Sequence, residues 1–145
     1  LDGWIALLLL AVALSPLSWL APSRREKAAM GLRLQARRMG LAMQLVRRDW
    51  PHWLPVEPPG SCAQYYRHRR KGHTDGWSYW QVAPGEWVNE WREPLEDGQL
   101  LERLQELPKD VYMVEAGPQV VSLYWGERGD QSDLARVSRT LERLA

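Results

Sequence analysis

Cys62, His68 and His73, with His52 upstream, are the residues whose types could hold a zinc ion or work as a nucleophile and its base. Zinc sites draw their ligands from Cys and His in close pairs, and these four residues form no such pairs. A thiol nucleophile needs an imidazole that a third group orients, and nothing in the sequence supplies one. The chain also has no glycine-rich nucleotide loop, no serine elbow and no Cys-x-x-Cys. Scattered carboxylates such as Glu90 and Glu93 read as a solvated face. The expectation is a non-catalytic chain with no metal and no cofactor.

Binding chemistry is better represented. Tyr65-Tyr66-Arg67-His68-Arg69-Arg70-Lys71 interleaves aromatic and basic side chains, which can hold phosphates and stack on bases. Basic residues next to a membrane are explained more simply by anionic lipid, where each contributes about 1 kcal/mol. The lipid or anion contacts expected are Arg24, Arg25, Lys27, Arg33, Arg37, Arg38, Arg67, Arg69, Arg70 and Lys71. Nucleic acid is the less favoured ligand of the 65–71 segment, because no nucleic-acid fold signature accompanies it. Six of the nine tryptophans fall between Trp50 and Trp91, and the chain has no Phe. Strand alternation puts Trp77 and Tyr79 on one sheet face and Trp80 on the other, so both faces are apolar. Trp77, Tyr79, Trp80, Trp87 and Trp91 are therefore the expected partner surface.

These residues need an anchor to bring them to a bilayer, and the N-terminal segment offers one. Gly3 to Ala21 is apolar except for Ser15, Pro16 and Ser18. At about 1.5 Å per residue it covers roughly 28 Å, enough to cross the hydrocarbon layer. Trp4 and Trp19 lie near its ends, where indoles favour the headgroup region. Arginines follow the stretch rather than precede it, which opposes a secretory signal and puts the N-terminus outside and the rest in the cytoplasm. A single cysteine fits that compartment. Charge is uneven beneath a net +1: residues 22–73 carry 12 Lys/Arg against 3 Asp/Glu, and residues 74–145 carry 7 against 14.

The predicted elements describe an α+β domain of mainly antiparallel sheet. One transmembrane helix (1–22) precedes a basic juxtamembrane segment (23–48) and a cytoplasmic domain (49–145). Ser23 and Glu26 have capping-box spacing and open a helix that runs to Met39, with Ala28, Ala29, Leu32, Ala36 and Met39 on one face. Leu41 to Val46 alternates as a strand, the alternative being a helix continuous to Arg48. Four prolines between Pro51 and Pro59 rule out regular structure there. Strands follow at 64–69, 77–82 and 87–92, the last two joined through Pro84-Gly85 by a loop longer than two residues. A helix over 97–107 buries Leu100, Leu101, Leu104 and Leu107. Strands 111–116 and 120–125 form a hairpin, and a last helix after Ser132 offers Leu134, Val137, Leu141 and Leu144.

The layout, one N-terminal span followed by a basic segment and a small cytoplasmic domain, resembles that of small accessory subunits of the bacterial preprotein translocase, mainly over residues 1–48. The resemblance implies an accessory or scaffold subunit of an inner-membrane complex, linked to protein translocation, with an integral-membrane protein and anionic lipid as partners. The alternative is a membrane-tethered module that binds nucleic acid or an anionic ligand through residues 65–71.

Overall fold

The computed structural model describes residues 3–5 and 23–145. Trp4 lies in the first of these and is exposed. Trp19 and nearly all of the expected membrane span lie outside the described residues. Among those described, no helix is long and apolar enough to cross a membrane.

Helix α1 (Arg24–Arg38) starts where the sequence places it, with the Ser23 Oγ accepting from the Glu26 N–H at 3.1 Å. Arg37 and Arg38 in its last turn suit the negative end of the helix dipole. It ends because Gly40 turns left-handed at φ +76°. The Leu41 N–H then reaches the Ala36 carbonyl at 2.9 Å and the Gly40 N–H the Arg37 carbonyl at 3.1 Å. The helix continuous to Arg48 is thereby excluded. Of the expected apolar face only Leu32 and Ala36 are buried; Ala29 is half-buried, and Ala28 and Met39 are exposed.

Strand β1 (Ala42–Val46) follows at once. The proline segment then leads to β2 (Cys62–His68), which starts two residues before its predicted position. Strands β3 (Trp77–Ala83) and β4 (Glu86–Val88) form the first hairpin. Its loop is shorter than expected: Ala83 pairs directly with Glu86, leaving Pro84 and Gly85 as the turn, with Gly85 at φ +76°. A turn of this hand fits the strand twist poorly, and a register shift between Gln81 and Ala83 absorbs the mismatch. Strand β4 stops at Val88 rather than reaching Arg92, where the backbone turns to φ +61°.

Helix α2 (Gly98–Leu104) is capped by Asp97 and ends three residues before its predicted end. Strands β5 (Val111–Ala116) and β6 (Val120–Trp125) form the second hairpin at the predicted residues. Helix α3 (Gln131–Leu144) is closed by a reciprocal capping box between Asp130 and Asp133.

Among the described residues six strands form one sheet in the order β1-β2-β6-β5-β3-β4, and every pair is antiparallel. The architecture is α+β. One face carries the larger core: Leu32 and Ala36 of α1, Leu104 of α2, and Leu134, Val137, Leu141 and Leu144 of α3 cover Tyr65, Val114, Val121, Leu123 and Trp125. Leu100 and Leu101 of α2 are half-buried against it. Each aliphatic side chain buried there stabilises the fold by about 1.5–3 kcal/mol. Residues 23–48 belong to this same core, since Leu32, Ala36 and Leu41 lie within it.

The opposite face carries Cys62, Trp80, Tyr112, Met113 and Tyr124. Tyr112 and Met113 share that face because the β5–β6 register shifts between Val111 and Met113. The cover is part of the chain itself: Trp50, Trp53 and Leu54, from the proline segment, pack on these residues as a strap. Trp50 stands edge-on to Tyr124 at 5.4 Å, and Trp53 edge-on to Trp80 at 5.8 Å.

Candidate functional site

The ten cations expected to face lipid divide into two groups. Arg33 turns inward from α1 and grips Glu127 with both ends of its guanidinium, Nε to Oε2 at 2.9 Å and Nη2 to Oε1 at 2.6 Å. Glu127, only 6 % exposed, also accepts the Tyr65 hydroxyl at 2.8 Å. Hydrogen bonding to this carboxylate raises the Arg33 pKa, with burial opposing it. Burial and then the Glu127 charge push the Tyr65 phenol well above its ordinary value. Arg69 is likewise internal, its side chain 4 % exposed. It donates to the Asp75 and Gly117 carbonyls at 2.7 and 3.0 Å and to the Asp75 carboxylate at 2.6 Å. Arg33 and Arg69 are therefore engaged within the fold, by Glu127 and by Asp75 and Gly117.

Arg67 is half-buried, its Nη2 3.5 Å from the Ser138 hydroxyl. Arg24, Arg25, Lys27, Arg37, Arg38, Arg70 and Lys71 remain exposed. The first five lie on α1, where Glu26 is the one carboxylate. Strand alternation dismantles the aromatic-basic run of 65–71: Tyr65 and Arg69 go into the interior, while Tyr66 and His68 lie on the other side of β2. Tyr66, Arg67, His68 and Arg70 still line one surface pocket beside Gly40, Ala42, Glu142 and Ala145.

Glu127 is positioned by a brace that sequence reading missed. Asp110 accepts the Trp125 indole N–H and the Arg128 backbone N–H, both at 2.8 Å, and its carbonyl accepts the Gly126 N–H at 2.9 Å. The chain after β6 is thus held so that Glu127, at φ +58°, points at Arg33 and Tyr65. A lone Glu in a Gly-rich turn carries no sequence signal of this role.

Across the open part of the strap face runs a second polar chain. Gln44 Nε2 donates to Gln64 at 2.7 Å, Gln64 to the Tyr124 hydroxyl at 3.2 Å, and that hydroxyl to Glu115 at 2.7 Å. Arg48 closes the chain on Glu115 at 3.2 Å and lies over the Trp50 and Tyr124 rings. Burial, followed by the Glu115 hydrogen bond, pushes the Tyr124 phenol up to about 12.

The groups weighed for catalysis do not converge. Cys62 is buried, and burial pushes its thiol up to about 12, so it is a poor nucleophile at neutral pH. His68 lies six residues along the same strand, about 20 Å away at strand rise. His52 is exposed, and the His73 Nδ1 lies 2.9 Å from the Ala145 carbonyl. Among the described residues no group of three or more His, Cys, Asp or Glu could hold a metal.

Of the five residues expected to form a partner surface, Trp80 and Trp87 are buried, 8 % and 2 % exposed, and present no surface to a partner. Trp80 lies under Trp53, and Trp87 is in the helix-side core. Trp77 and Tyr79 are half-buried at the margin of that core. Trp91 alone stands out, 71 % exposed. Its turn is fixed by Asn89, whose Oδ1 accepts the Trp91 and Glu93 N–H groups at 3.0 and 2.9 Å.

No protein family, curated protein or solved structure matches the chain.

Proposed function

We propose that this chain is a non-catalytic accessory or scaffold subunit of a bacterial inner-membrane complex. It is anchored by one N-terminal span, with its α+β domain held against the cytoplasmic leaflet. The observation that carries this reading is α1. It begins at Arg24, three residues after Ala21 ends the apolar stretch, displays Arg24, Arg25, Lys27, Arg37 and Arg38 to solvent, and is fixed to the sheet through Arg33 and Glu127. A basic helix joined rigidly to a domain sets that domain's orientation on an anionic surface as well as its distance. Trp91, exposed on a braced turn, supplies an aromatic anchor for a protein partner. The link to protein translocation rests on layout.

Two measurements test the proposal. Alkaline phosphatase fused after Ala145 should be inactive in intact cells; activity there would put the domain on the periplasmic side. Co-purification in mild detergent should yield an integral-membrane protein in stoichiometric amount, and isolation as a lone monomer would remove the accessory role.

A further inference from the structure

The two edges of the sheet are finished differently. Strand β4 has three residues, its Val88 is bridged to Pro94, and a register shift interrupts its pairing with β3. Short length, proline and irregularity are the devices that stop an edge from accepting another strand. Strand β1 has none of them. Its five residues, Ala-Met-Gln-Leu-Val, include no charge and no proline, and they pair with β2 in unbroken register. Leu45 is 52 % exposed. Beside this edge lies a groove of about 400 Å³ whose walls are Leu34, Arg33 and Arg37 of α1 and Leu41, Ala42 and Met43.

We propose that the edge of β1 and this groove form a docking site for an extended segment of a partner protein. The segment pairs with β1 as a further strand and carries apolar residues at alternate positions between acidic ends. The inference rests on the accessory-subunit reading for the existence of a partner and names that partner's chemistry. Main-chain hydrogen bonds supply affinity in this mode of recognition, and pockets for alternate side chains supply selectivity. Met43 lies on the α1 side of the sheet and Gln44 on the other, where it bonds to Gln64. One set of the added strand's side chains therefore enters the groove against Leu34 and Met43, and the other lies beside Gln44.

Charge decides the occupant. From Lys27 to Arg48 the chain has no Asp or Glu. Arg33 and Arg48 are neutralised by Glu127 and Glu115. Lys27, Arg37, Arg38 and Arg47 are exposed, with no ion-pair partner among the described residues. A second copy meeting β1 across a two-fold axis would set these cations against their own images. An acidic segment is drawn to them instead.

The test uses the isotope-labelled full chain in mild detergent and a capped peptide of sequence Asp-Val-Thr-Val-Thr-Val-Glu, followed by backbone amide shifts. Saturable shifts at residues 41–47 and none at 86–88 are expected. Binding should weaken about tenfold or more, roughly 1.4 kcal/mol, when the peptide's acidic ends are replaced by Lys. The exposed-site variants Leu34→Glu and Leu45→Glu should weaken binding similarly, with unchanged shifts elsewhere showing that they fold. Absence of shifts at 41–47 with millimolar peptide overturns the site. Equal binding of the Lys-ended peptide overturns the acidic assignment. Shifts at 41–47 that depend on protein concentration without peptide assign the edge to a second copy and overturn the proposal. None of these outcomes bears on the anchor, which the phosphatase fusion tests separately.

Discussion

Glu127 ties α1 to the sheet by accepting three hydrogen bonds, two from Arg33 and one from Tyr65. Removing one partner of such a pair leaves the other buried without compensation. Arg33→Ala should therefore lower stability by about 2 kcal/mol, discounted from a fully buried pair because Arg33 is partly exposed. Arg33→Lys should recover only part of that loss, since an ammonium cannot repeat the two-point contact. Urea unfolding of the three proteins checks both, with faster amide exchange over residues 24–38 as the local sign. Cys62 gives a second prediction. Its buried thiol should react with a disulfide reagent at pH 8 at least about 100-fold more slowly than in the unfolded chain, because so little thiolate is present. The same burial makes stability depend on pH. The thiol is favoured in the fold, so its contribution is complete below an unfolded pKa of about 8.5 and falls as pH rises through that value. The fall continues toward the folded value of about 12, with Tyr124 adding to it. Urea midpoints should drop steadily above pH 9, and Cys62→Ala should soften the onset. None of these partners was legible in the sequence: Arg33 looked like its basic neighbours, and Glu127 like any turn acid. Which way a side chain turns is fixed by tertiary neighbours such as the Asp110 brace.

At the scale of elements the sequence was far more readable, and two of its departures share a cause. Strands β3, β5 and β6 and the buried residues of α3 follow from period alone. Gly40 separates α1 from β1 as its position suggests, and it does so in the left-handed region at φ +76°. A Cβ there would meet nothing within 4 Å. Gly40→Ala should therefore cost only the conformational term, about 1–2 kcal/mol, and thermal unfolding should show it without loss of helix signal. Two departures from plain alternation are register shifts, at Gln81/Ala83 and Val111/Met113. Alternation predicts opposite faces for Tyr112 and Met113, yet both lie under the strap. A bulge is a property of a strand pair and its twist, so one strand's sequence does not announce it.

At the scale of the molecule, a sheet with two apolar faces needs two covers, and the sequence disclosed only the helical one. Two apolar faces suggested that an external partner would supply the second, whereas the proline segment folds back and supplies it. Prolines stiffen that strap and keep it out of regular structure, so its tryptophans arrive with little rotational freedom left to lose. Among the described residues the helix-side core is the larger, with twenty buried residues against five under the strap. The two layers should therefore fail separately. Trp50→Ala combined with Trp53→Ala removes both indoles that stand edge-on to Tyr124 and Trp80. The expected cost is about 3–5 kcal/mol, near that of truncating one fully buried aromatic, because both tryptophans are only half-buried. The double variant should bind a hydrophobic dye through the uncovered Trp80, Tyr112 and Tyr124 while amides of α3 and β6 stay protected from exchange. Protection lost in parallel over α3 would show instead that the strap and the helical layer unfold as one unit, and that the second core is needed for the first.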